Sequence, residues 1–141
     1  MSIESKIREI AKEKFPSFSY VFEDWNGAAE QIDRVSLPAI MCILPVGGYL
    51  KFSRGTVKDC EDCMLAFVDK VFRDANGEDN ERVYSSMKET AASFIKALNE
   101  SRYFEPIDGN IRYSTILESA SAYFTGVSVE ISLKELQGAC L

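Results

Sequence analysis

Few residue types in this chain can do chemistry. Four cysteines, Cys42, Cys60, Cys63 and Cys140, supply the thiols, and histidine is absent from all 141 residues. Without histidine there is no Ser-His-Asp or Cys-His arrangement and no imidazole acid–base catalysis. Cys60 and Cys63 bracket Glu61 and Asp62 in a Cys-x-x-Cys motif. A redox-active thiolate is stabilised by positive neighbours or a helix N-terminus. Asp59, Glu61 and Asp62 act in the opposite sense and keep the thiols protonated. A structural zinc needs four ligands, usually in two paired sets, and neither Cys42 nor Cys140 is paired. The motif therefore reads as structural, and Cys42, set in an apolar run, reads as a small core residue.

Oxygen-based sites fail on spacing. The acids of Asp74 to Asp79 could gather around calcium, but an EF-hand loop places its glycine at the sixth position and a glutamate at the twelfth. Gly77 is only the fourth residue counted from Asp74. A solvated turn capping a following helix fits better. Adjacent acids such as Glu23/Asp24 and Glu61/Asp62 are ordinary in a chain with 22 acidic residues. Gly47-Gly48 lacks the downstream Lys-Ser/Thr of a phosphate-binding loop and the spacing of a dinucleotide fingerprint. Ser85, Ser86, Ser93, Ser119 and Ser121 have neither a histidine partner nor a Gly-x-Ser-x-Gly context. The residues point to no catalytic, cofactor or metal site, and the chain reads as a non-enzyme.

Composition narrows the partners. With 46% apolar residues the chain can build one core, and 141 residues fit a single domain, 1–141. The net charge is −6 and basic residues are scattered, which disfavours free nucleic-acid binding. Ala39 to Val46 is too short an apolar run to span a bilayer. The charged N-terminus lacks the apolar stretch of a signal peptide. A cytoplasmic, non-membrane protein is expected.

The elements that must position any surface site follow from periodicity. Residues 2–14 predict an amphipathic helix capped by Ser2, with Ile3, Ile7, Ile10 and Ala11 as its stripe. Strands are predicted at Phe18–Phe22, Leu37–Pro45, Tyr49–Phe52 and Cys63–Phe72. Turns are expected at Trp25-Asn26-Gly27, Gly47-Gly48 and Arg54-Gly55. Asn80–Ser101 is the longest helical pattern, with Asn80 as its N-cap. Val83, Tyr84, Met87, Ala91, Phe94, Ile95 and Leu98 form one wide apolar face. Asp108-Gly109 is a further turn. Ile111–Tyr123, interrupted near Ser119, and Gly126–Leu136 predict two last strands, the second with Val127, Val129, Ile131 and Leu133 inward. The sum is an α+β domain: a mostly antiparallel sheet with the N-terminal helix and the long central helix on one face.

This element order resembles the tail-terminator and tail-completion proteins that form rings at the head–tail junction of long-tailed phages. The stretch SRYFEPIDGNIRYSTILESASAYFTGVSVEISLKEL also resembles small phage or prophage proteins of gut Bacteroidetes. The resemblance implies a structural protein that caps a tail tube or joins it to the neck, with copies of itself and other tail or neck proteins as partners. A ring requires a heterologous interface. Trp25, Tyr49, Lys51, Arg54 and Arg112 are the candidate contacts, because aromatics and arginine are enriched at interfaces. Two other classes compete. One is a small-molecule-binding or regulatory domain with a pocket between helix and sheet. The other is an enzyme working through carboxylates, tyrosine or cysteine alone.

Overall fold

The computed structural model describes residues 2–24, 26–28, 35–71, 76–119 and 123–140. It is an α+β domain built on one mixed sheet. In chain order the elements are α1 (Ile3–Lys14), β1 (Ser19–Asp24), β2 (Ala39–Ser53), β3 (Thr56–Lys70), α2 (Gly77–Glu100), β4 (Tyr113–Ser119), β5 (Tyr123–Lys134) and the short β6 (Ala139–Cys140). The strand order is β1-β2-β3-β5-β4, and β6 joins β3.

Helix α1 starts where its sequence says. The Ser2 hydroxyl accepts the Ser5 amide at 3.1 Å, and Ile3, Ile7, Ile10 and Ala11 are buried. Helix α2 begins three residues earlier than the predicted Asn80 start. Asn76, not Asn80, is the cap. Its side chain accepts the Asp79 amide at 2.9 Å, and the Asp79 carboxylate accepts the Asn76 amide at 3.2 Å. This reciprocal box uses the acids of the preceding polar stretch, so Gly77, Glu78 and Asp79 become the first turn. The predicted apolar face is otherwise as expected: Met87, Ala91, Phe94 and Leu98 are buried, with Val83, Tyr84 and Ile95 half-buried beside them.

Both helices lie on one face of the sheet. Their stripes meet Ile40 and Cys42 of β2, Cys63, Leu65 and Phe67 of β3, and Val127, Val129, Ile131 and Leu133 of β5. Phe94 holds the layers together, its ring 5.7 Å from that of Phe67 and 5.3 Å from that of Phe15. The opposite face carries a smaller cluster, with Val21, Ala39, Met41, Ile43, Ala66, Val68, Ile116 and Phe124, covered by Ala28.

Two expectations are corrected. Gly47-Gly48 is no turn but part of β2, next to an irregularity between Ile43 and Gly47. A Cβ on Gly48 would stand 2.0 Å from the Cys60 carbonyl oxygen, so glycine serves close strand approach here, not chain reversal. The segments on either side of it, and the stretch before Cys63, fuse into two 15-residue strands, β2 and β3. The interruption expected near Ser119 is the end of β4, and only the boundary moves: Tyr123 already belongs to β5, which pairs antiparallel with β4 from Ser119↔Tyr123. Within the mostly antiparallel sheet that was expected, β1 runs parallel to β2, from Ser19↔Ala39 to Asp24↔Leu44. The other pairings are antiparallel. Among the described residues no helix is long and apolar enough to cross a membrane.

Candidate assembly surface

The β2–β3 hairpin is longer than the sheet that supports it. β1 pairs with β2 only as far as Leu44, and β5 pairs with β3 only from Cys60 onward. Beyond those points β2 and β3 continue as a two-stranded ribbon to the turn at Arg54-Gly55. The Thr56↔Cys140 and Val57↔Ala139 pairs of β6 brace it, and Glu135 bonds Asp59 at its root. Five residues past Cys60 give an arm of roughly 15 Å at strand rise. The turn fits this reading: Arg54 and Gly55 both have positive φ, 46° and 81°, which suits the right-handed twist of a two-residue hairpin.

The arm exposes side chains that a monomer would normally bury. Tyr49 is 54% exposed, Leu50 59% and Phe52 64%. The register sorts them. Leu50 faces Asp59 and Phe52 faces Val57, on the side of the sheet that carries the helices. Tyr49 faces Cys60 and Lys51 faces Lys58, on the other side. The Cys60 thiol across the ladder raises the pKa of the Tyr49 phenol, which stays protonated and able to donate. Lys51 and Lys58 are like charges directly opposite one another, an unfavourable pairing in the isolated arm. Among the described residues no ion pair joins Lys51, Arg54 or Lys58 to a carboxylate.

The structure gathers three of the five candidate contacts. Tyr49, Lys51 and Arg54 share the arm. Arg112 is exposed but precedes β4, whose Tyr113 pairs with Val129, which in turn pairs with Leu65. Leu65 is ten residues along β3 from Gly55, so Arg112 is some 30 Å from the tip at strand rise. Beside it the Tyr113 ring is covered by the Lys88 ammonium at 4.4 Å, which also donates to its hydroxyl at 3.1 Å. Trp25 lies outside the described residues. Leu50, Phe52 and Lys58 were missed by sequence reasoning. The available signal was that residues 47–58 hold Lys51, Arg54 and Lys58 but no acid, in a chain of net charge −6.

At the base of the arm one ionic contact ties three elements together. Lys6 of α1 donates to Glu135 at 3.0 Å, and the same carboxylate accepts the Asp59 amide of β3 at 2.7 Å. Desolvation pushes Glu135 up, but the Asp59 amide and Lys6 outweigh it, and the carboxyl titrates below its ordinary value.

The other chemistry-bearing residues do not assemble. Cys60 and Cys63 lie within β3, three residues apart, so they point to opposite faces of the sheet. Both are buried free thiols. Burial, then the neighbouring Cys42 and Glu61, raises the Cys63 pKa, and burial lifts Cys42 to about 11. Among the described residues no three of Cys, Asp and Glu converge on a metal site. The layer between helices and sheet, where the competing small-molecule reading would place its pocket, is filled by Leu65, Phe67, Phe94, Leu98, Phe104 and Leu133, each no more than 2% exposed. No family model matches this chain, and no curated protein matches it.

Proposed function

We propose that this chain is a non-enzymatic assembly protein of the tail-terminator or tail-completion type. In this reading it caps a phage or prophage tail tube, or joins the tube to the neck, as a ring of identical copies that also touches other tail or neck proteins. The observation that carries the reading is the β2–β3 arm. It presents Leu50 and Phe52 side by side to solvent on one face, Tyr49 and Lys51 on the other, and Arg54 at the turn. Contiguous exposed apolar side chains rimmed by polar ones mark interaction surfaces, and aromatics beside arginine suit a binding hot spot. An arm projecting from one end of a sheet meets a different surface on the next copy, which is the geometry that closes rings. The small-molecule reading gains no support from the filled helix–sheet layer.

The test is the mass of the protein in solution, followed by electron microscopy. Discrete rings, alone or on added tail-tube protein, are expected. A protein that remains monomeric both alone and with tube protein, and that leaves tube ends bare, would sink the reading.

A further inference from the structure

We infer that the arm of one copy docks into the acidic groove between the C-terminal ends of α1 and α2 of a second copy. The inference rests on the assembly reading and names its contact.

The charge of the chain is divided unevenly. Residues 47–58 carry Lys51, Arg54 and Lys58 and no acid, a charge of +3. The remainder of a chain of net charge −6 is therefore −9. A basic, aromatic arm on an acidic body is complementary to another copy of itself. The facing Lys51 and Lys58 reinforce this, because acids supplied by a partner relieve their repulsion.

The groove has matching chemistry. Glu9, Glu13 and Glu100 line it against one cation, Lys14, and Ile10 and Ala97 give it an apolar lining. It measures about 310 Å³. Glu9 is occupied, accepting the Tyr103 hydroxyl at 3.1 Å, a bond that raises the pKa of that phenol. Glu13 and Glu100 are exposed, and no ion pair engages them among the described residues. The last turn of α2 contains no basic residue, so the negative end of its dipole adds to Glu100, with Arg102 after the cap and Lys12 and Lys14 in the last turn of α1 as the nearest cations in sequence. Leu50 and Phe52, on one face of the arm, meet Ile10 and Ala97, while Arg54 at the turn and Lys51, reaching round from the other face, meet Glu100 and Glu13 at the rim.

The contact joins two copies and not one chain to itself. Lys6 of α1 is bonded to Glu135, which sits beside Asp59, four residues short of the turn at Gly55. From there α1 leads to Phe15, which packs on Phe94 above Phe67, so its C-terminal end lies over β3 residues still farther from the turn. The arm points the other way. A second acidic strip exists on α2, with Glu78, Glu81 and Glu89 near Arg82. It lies on the side of a single helix and offers no apolar cleft, which is why the inter-helix groove is assigned and the strip serves as a control.

The experiment uses sedimentation of the whole chain at low salt, with circular dichroism as the folding control. Asp replaces Arg54 because it tolerates the left-handed backbone there. K51E/R54D and E13K/E100K are each expected to weaken self-association at least ~10-fold. Mixing the two variants is expected to restore assembly, since each then offers the charge that the other needs. E81K/E89K is expected to leave association unchanged. If wild type assembles but K51E/R54D assembles equally, or the mixture of folded variants stays dissociated, the arm–groove contact is overturned while the assembly reading stands. Loss of assembly in E81K/E89K alone moves the contact to the α2 strip and also overturns it. A wild-type chain that is monomeric at high micromolar concentration and low salt overturns the contact. The tail-tube experiment above then decides the assembly reading separately.

Discussion

At the scale of single residues, the informative groups are those whose environment departs from what their type requires. Glu135 is a carboxylate held low by an amide and an ammonium. A group with a depressed folded-state pKa contributes stability above its unfolded pKa and loses it as pH falls through the folded value. Glu135→Gln is therefore expected to cost about 1 kcal/mol at neutral pH, solvent screening at this partly exposed carboxylate keeping the figure low. The gap from wild type should close below the carboxylate range, where the native side chain also protonates. Urea titrations of both proteins at neutral and acid pH check this, and a gap that persists at low pH would argue against it. Gly126 is a steric case. A Cβ there would stand 1.9 Å from the Phe67 carbonyl oxygen and 2.8 Å from the Val68 Cα. Because the obstacle is backbone in the middle of the sheet, Gly126→Ala should lower stability by about 1–3 kcal/mol, with a shifted urea midpoint and an unchanged slope. Wild-type stability in that variant would show that the two strands can separate without cost. The cysteine motif shows how far residue spacing alone could be read. Its acidic neighbours already argued against redox chemistry. That strand parity also sends the two thiols to opposite faces required knowing that Thr56–Lys70 is one strand.

At the scale of elements, periodic signals were legible and partner choice was not. The face of α2 was readable from Val83 to Leu98 because burial on one side imposes the helical period on sequence. Its start was misplaced because two asparagines, Asn76 and Asn80, offered cap chemistry, and only the reciprocal bond with Asp79 distinguishes them. The consequence is measurable. Asn76→Ala should lower stability by about 1 kcal/mol, seen as a reduced thermal midpoint. Asn80→Ala should cost less, since its side-chain amide donates only to the Asn76 carbonyl. Equal losses in the two variants would contradict the capping box. Gly47-Gly48 was misread because a glycine pair signals a turn or a close approach with the same letters. The parallel pairing of β1 with β2 left no local trace, since a strand's own residues do not encode its neighbour's direction. Strand order also decided the candidate contacts: Tyr49, Lys51 and Arg54 were within one hairpin's reach, whereas Arg112 belongs to an edge two strands away.

At the scale of the whole molecule, the arm and the body separate energetically. The buried residues of β2 and β3 lie at Ala39–Ile43 and from Cys60 to Val68, and none lies between Lys51 and Lys58. The Asp59 amide that anchors Glu135 is at the root of the arm. Leu50 and Asp59 are paired across the ladder, so a two-residue Asn-Gly turn can join them directly in place of residues 51–58. The shortened chain keeps both core clusters, the capping box and the Lys6–Glu135 contact. It loses the two pairs of β6 with β3 and the basic tip. A cost of about 1–3 kcal/mol follows from those backbone bonds, small enough for a cooperative thermal transition to survive. Self-association should disappear entirely, because Lys51, Phe52, Arg54 and Lys58 leave together. Sedimentation beside circular dichroism separates the outcomes. A folded monomer assigns the arm to assembly. A shortened chain that is folded and still forms rings would place the interface elsewhere on the body. A chain that fails to fold would mean that the arm's pairing with β6 supports the sheet, a structural role that the burial pattern argues against. An overhanging ribbon contributes little to the stability of one molecule, which is why the role proposed for its aromatic and basic residues lies between molecules.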